Sequence, residues 1–189
     1  MNVAVTRAAE GFPRRAFTVE DIRRMIDAGV IGEDERFELI EGEIVPMSPK
    51  HDPHERIKVA FAIAISRRLP DDLWLGIEGT IYLAERTFVE PDLCIFRREL
   101  KIQEVKGADL LLVVEVADSS LAFDIGTKAR LYASYGAREL WVVNAQSLVT
   151  AVHTGPTANG WTSVREVGPT DFLQLAAVPG FTLRLADVD

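Results

Sequence analysis

One stretch constrains the fold more than any other: Leu110-Leu111-Leu112-Val113-Val114-Glu115-Val116-Ala117. Its apolar residues run on without the alternation of a half-exposed strand, which predicts a central strand covered on both faces. Such a strand needs helices packed on a sheet from two sides, so the expected class is α/β or α+β. Glu115 is the single charge in the run. Burying a carboxylate there costs several kcal/mol unless it is paired, protonated or bound to a cation. The plainer reading is a glutamate near a strand end that reaches solvent or a nearby arginine.

The rest of the composition narrows the frame. A chain of 189 residues, 48% apolar and 26% charged, is expected to form one globular domain over 17–189. Residues 1–16, with Gly11 and Pro13, read as a loose arm. The one cysteine, Cys94, excludes a disulfide framework and a cysteine-clustered zinc site. A net charge of −8 argues against a surface that is basic throughout. A nucleic-acid partner would therefore need a locally basic face or a metal ion against the phosphates. No segment is long and apolar enough to span a bilayer, and Met-Asn-Val-Ala-Val-Thr-Arg is no secretory signal, so no membrane association and a cytoplasmic location are expected.

Thr18, with Glu20 and Asp21 behind it, opens a helix that Gly29 stops. Phe37 to Met47 reads as a hairpin turning at Glu41-Gly42, which sets Ile40 against Glu43 and Glu38 against Val45, with Pro46 at a sheet edge. His54 to Leu69 is a helix whose unbroken run Val59–Ile65 suggests burial on most sides. Strands are expected at about 77–84, 88–96 and 110–117, a helix at 124–135 ending at Gly136, and a strand at 140–143. Val149–His153 and Trp161–Glu166 make a closing hairpin.

If the strands at 88–96 and 110–117 pair as a hairpin, Asp92 comes to lie beside Glu115. Their carboxylates would repel strongly without a cation between them, and a hard divalent ion is the usual solution. Asp92 taken alone could be a turn-forming Pro-Asp pair. Lys128 shares the helical stripe Ile125, Lys128, Tyr132 and Tyr135, which faces the sheet and directs the ammonium towards Glu115. Alternatively it pairs with Asp124 four residues back and reaches water. Two acids and a lysine converging at one strand end suit metal-assisted phosphodiester hydrolysis.

Phe-Glu-Leu-Ile-Glu-Gly-Glu, His54 at a helix start, Glu-Pro-Asp-Leu, and Val-Val-Glu-Val-Ala-Asp-Ser-Ser resemble the Uma2 family of restriction-endonuclease-like proteins. So do Asp124, Lys128 and Tyr132, followed by Tyr-Gly-Ala-Arg-Glu-Leu-Trp-Val-Val-Asn, and the likeness runs in order from about residue 17 to 185. The family belongs to the PD-(D/E)XK nuclease superfamily. The resemblance implies a mixed central sheet flanked by helices, preceded here by an N-terminal helix and β-hairpin, and magnesium (or manganese) as cofactor. It implies a hydrolysed phosphodiester; DNA is the expected substrate, with RNA as the alternative. Asp92 matches the first acid and Glu115 the second, as metal ligands and catalytic residues. Ala117 stands where the motif expects lysine, and Lys128 on the following helix is the natural substitute.

Glu43 could add an accessory acid, or could with Glu38 simply solvate the hairpin. His54 shares a helical face with Ile57 and Phe61 and reads as a satisfied, partly buried imidazole. Tyr132, Tyr135 and Trp141 read as core packing, and Asn144 as structural. Arg97, Arg98 and Lys101, with Arg67 and Arg68 as a second cluster, either hold flanking phosphates or are solvated surface. Two functions stay open: a magnesium-dependent nuclease using Asp92, Glu115 and Lys128, or a nuclease-fold module that binds nucleic acid or protein without turnover. No Gly-x-Ser-x-Gly elbow or phosphate-cradling glycine loop supports another hydrolase. Apolar edge strands would suit a homodimer.

Overall fold

The computed structural model describes residues 5–7, 13–32, 34–47 and 51–188. The chain divides into two compact units, the first built from Met1–Met47 and Thr80–Glu90, the second from Ser48–Gly79 and Pro91–Asp189. Most of the expected arm, 1–4 and 8–12, lies outside the described residues, while β1 (Val5–Arg7) and β2 (Pro13–Arg15) pair antiparallel. Helix α1 (Val19–Asp27) starts at Thr18, whose side chain accepts the Asp21 N–H while Asp21 accepts the Thr18 N–H, each at 3.0 Å. β3 (Phe37–Ile40) and β4 (Glu43–Pro46) pair in the register set by the two-residue turn, Ile40 against Glu43 and Glu38 against Val45. Glu41 (φ +51°) and Gly42 (φ +89°) hold that turn in the left-handed region that closes a tight hairpin.

In the second unit, α2 (Asp52–Ser66) precedes β5 (Leu73–Ile77). The chain then returns to the first unit for β6 (Ile81–Ala84) and β7 (Thr87–Val89), which complete a four-stranded sheet in the order β4-β3-β7-β6. The expected continuous strands at 77–84 and 88–96 are thus each broken. Glu78 turns the chain with φ +51°, and Pro91, which has no N–H to give a ladder, separates β7 from β8 (Leu93–Arg97).

β9 (Leu112–Ala117), helix α3 (121–134), β10 (Glu139–Asn144), β11 (Thr150–Thr157) and β12 (Gly160–Val167) follow, then the short pair β13 (Leu173–Gln174) and β14 (Thr182–Leu183). The main sheet runs β12-β11-β10-β9-β8-β5, with β9 parallel to β10 and the other pairs antiparallel. This is the mixed sheet flanked by helices that the sequence predicts. β9 is buried along its whole length. On one face Leu112, Val114 and Val116 join Phe61 and Ile65 of α2, Trp141, and the C-terminal residues Leu175 and Phe181. On the opposite face Glu115 meets α3, whose Tyr132 is fully buried.

The α2 run is not buried on most sides. Val59 is 52% and Ile63 45% exposed, because α2 lies on one face of the sheet and this i, i+4 pair points away from it. No described helix is long and apolar enough to cross a membrane.

The C-terminal end of α3 is seated on Gly107. A Cβ there would stand 2.6 Å from the Tyr135 Cβ and press on the Tyr135 carbonyl. Gly107→Ala is expected to lower stability by about 1–3 kcal/mol through this overpacking, read as a lower urea midpoint with an unchanged slope.

Candidate active site

The ladder of β8 on β9 ends at the pair Leu93–Val114; Asp92 is the residue just before β8, and Glu115 follows Val114 on β9. Both acids are 4% exposed, so Glu115 does not reach solvent as its plainer reading had it. The Asp92 Oδ2 accepts the Val116 N–H at 2.8 Å and lies 3.1 Å from His54 Nε2. His54, on the first turn of α2, therefore sits against an acid of the site rather than merely filling the core. Its Nδ1 is 3.2 Å from Glu55 Oε1, and a neutral imidazole can donate to only one of the two carboxylates.

From the other side of the sheet, Lys128 Nζ reaches Glu115 Oε1 at 2.8 Å, and the Tyr132 hydroxyl donates to the same oxygen at 2.6 Å. Lys128 is 5% exposed, so it does not reach water. Tyr132, read from the sequence as packing alone, is a polar partner of the second acid. Its signal was present in the i, i+4 spacing to Lys128, which places both tips over one point of the sheet.

The stripe on α3 differs from the expected one. Asp124–Lys128 is a π-helical turn closed by the Ala129 N–H on the Asp124 carbonyl. The wider turn brings Asp124 inward, buried and accepting the Ser120 hydroxyl at 2.5 Å, and swings Ile125 out to 41% exposure. Glu43 is half-buried on β4 in the first unit; the contacts above are made by second-unit residues alone. Arg97 pairs with Asp72, and Arg98 donates to the Asp71 carbonyl and lies 4.9 Å over the Trp74 ring, so both serve the start of β5. Asn144 accepts the Gln146 and Ser147 N–H groups, the structural role expected of it.

Beside His54, a second cluster went unread. Lys58 Nζ contacts both Glu55 oxygens at 2.8 Å and Glu78 Oε1 at 2.6 Å. Burial alone would lower the Lys58 pKa, but the hydrogen bonds to Glu55 and Glu78 hold it above its ordinary 10.5. The Lys58 hydrogen bond in turn holds Glu55 below its ordinary 4.5.

This mixed sheet, with one buried acid just before β8, another on β9 and a lysine delivered by the next helix, defines a protein of restriction-endonuclease-like fold. A putative nuclease of DUF820 from Anabaena variabilis has the same fold, with a TM-score of 0.72 at 12% identity over 91% of this chain and 97% of that one. The chain belongs to the Uma2 family, described as "Putative restriction endonuclease", whose profile matches residues 19–186. No curated protein matches it.

Removing Lys128 leaves Glu115 buried against Tyr132 without its cation. Lys128→Met is expected to cost about 3–5 kcal/mol in urea unfolding, and adding Glu115→Gln should recover part of it, because a neutral amide needs no counter-charge. Glu55, depressed on folding, contributes stability present above about pH 4.5 and lost as pH falls through its folded value; Lys58, raised on folding, contributes stability present below about pH 10.5 and lost as pH rises through its own. The difference between wild type and Lys58→Met is therefore expected to be flat between these limits and to shrink outside them, measured as urea stability against pH.

Proposed function

We propose that the chain is a metal-dependent nuclease of the PD-(D/E)XK type that hydrolyses phosphodiester bonds, with DNA as substrate. What supports this is the burial of Asp92 just before β8 and of Glu115 on the adjoining β9, with Lys128 on Glu115. Among the described residues no group of three or more His, Cys, Asp or Glu is arranged to hold a metal. The carboxylates of Asp92 and Glu115 offer hard oxygen donors, which suit magnesium or manganese rather than a zinc cage.

Asp92 and Glu115 would hold that ion. When bound, it supplies Lewis-acid polarisation of a phosphoryl oxygen and neutralises charge on the phosphate. Lys128 places an ammonium where charge grows on the scissile phosphate, and its burial strengthens that interaction over its value in water. Tyr132 keeps Glu115 Oε1 fixed while Lys128 exchanges the carboxylate for phosphate. His54 and the Val116 N–H orient Asp92 without supplying a proton to the reaction.

A nuclease-fold module without turnover is the second reading. It draws support from the same salt bridge, since Lys128 and Tyr132 already satisfy Glu115 Oε1.

Calorimetry with magnesium and manganese separates the two readings, followed by cleavage of plasmid and single-stranded DNA. Wild type is expected to bind metal and nick plasmid only in its presence. Asp92→Ala and Glu115→Ala are expected to lose both properties, and Lys128→Ala to keep metal binding but lose roughly 10²–10³ in rate. No binding at millimolar metal, together with no cleavage, leaves the binding module.

A further inference from the structure

We propose that Lys58 and Glu78 are positioning residues for Asp92, so that one face of helix α2 grips this acid at both ends: its carboxylate through His54 and its backbone through Lys58 and Glu78. The proposal rests on the nuclease reading for its consequence in catalysis, and on geometry for its existence. His54 and Lys58 are four residues apart on α2 and so share a face. The first sets its Nε2 3.1 Å from Asp92 Oδ2. The second binds Glu78 Oε1 at 2.6 Å, and the Glu78 N–H donates to the Asp92 carbonyl at 3.1 Å.

Glu78 is the informative member. Its φ of +51° lies in the left-handed region, which costs a residue with a Cβ roughly 1–2 kcal/mol and a glycine almost nothing. A glutamate at a position that suits glycine is there for its side chain, and that side chain is held by Lys58. Lys58 itself is 4% exposed. A methionine would fill that place without any cost of burying charge, so the lysine serves its two acids and not the core. Glu55 holds the same ammonium through both of its carboxylate oxygens.

The chain Lys58–Glu78–Asp92 therefore fixes the turn just before β8, and His54 fixes the rotamer of the acid that this turn presents. A carboxylate that must meet an ion and a phosphate together tolerates little displacement; loss of an outer partner of a metal ligand typically weakens metal affinity 10–100-fold. Neither Lys58 nor Glu78 need touch substrate for this.

The test uses the full chain as wild type, Lys58→Met, Lys58→Arg, Glu78→Gln and Glu78→Gly, with Asp92→Ala as reference. Glu78→Gly relieves the backbone strain while removing the carboxylate, so it stays folded and separates positioning from stability. The first readout needs no metal: amide hydrogen exchange at Val116, whose N–H is held by Asp92 Oδ2. Exchange at Val116 is expected to speed up about tenfold in Lys58→Met and Glu78→Gly while Val114 on the same strand is unchanged, and to recover in Lys58→Arg. The second readout is Mn²⁺ alone by calorimetry, with about tenfold weaker binding expected in the same two variants. The third is cleavage, with kcat lowered and the KM for DNA unchanged. Wild-type exchange at Val116 in both Lys58→Met and Glu78→Gly overturns the proposal. Unaltered Mn²⁺ binding in Asp92→Ala overturns the nuclease reading instead, and the Val116 result then still decides whether α2 positions Asp92.

Discussion

Two buried carboxylates, one just before β8 and one on β9, dictate what surrounds them. Asp92 and Glu115 are each compensated by donors or a cation, because a buried charge left unpaired costs several kcal/mol, a large part of the net stability of a domain. The sheet meets the requirement from both faces. Helix α2 brings His54 to the first acid, α3 brings Lys128 and Tyr132 to the second, and β9 adds its own Val116 N–H. The helices that shield an all-apolar strand from water are thus also the ones that balance the charge at its end. Hydrophobic cover and electrostatic cover are supplied by the same two elements.

Helix α3 shows how a local irregularity serves that arrangement. Asp124, Lys128 and Tyr132 recur every four residues, a spacing slightly longer than one α-helical turn, so an ideal helix would carry the row gradually sideways. The π turn at Asp124–Lys128 lengthens one turn and keeps the row aimed at the sheet. The displaced residue is Ile125, an apolar side chain moved into water, and the gain is a polar row of three buried groups. Irregular helical turns tend to occur where function asks for a side-chain direction that regular geometry does not provide.

What could be read from the sequence follows from how local each determinant is. The hairpin at Glu41-Gly42 was legible because a two-residue turn settles both conformation and register. Asp92, Glu115 and Lys128 were legible because a charge inside or beside an apolar run is conspicuous and because their neighbours resemble a known family. His54 and Tyr132 were seen but assigned to packing: their partners lie 38 and 17 residues away, and side-chain spacing names a face without naming what the face meets. Val59–Ile65 misled for a similar reason, since an unbroken apolar run does not say which side of a helix has a neighbour. Glu78 left no sign at all. A left-handed backbone is announced by glycine or asparagine, and here it is carried by a glutamate whose reason is a lysine on another element.

The excursion of the chain between Glu78 and Asp92 has a further consequence. Residues 80–90 leave the second unit, build two strands of the first, and return, while the Glu78 N–H and the Asp92 carbonyl remain hydrogen-bonded across the gap. The two ends of the excursion are thus tied before it begins. The closure entropy of that already joined loop grows slowly with its length. The site strand is insulated from what is spliced in ahead of it. A lineage could lengthen, shorten or re-decorate that hairpin to suit new partners while Asp92 keeps its place, which makes the segment just before the acid a natural point of divergence.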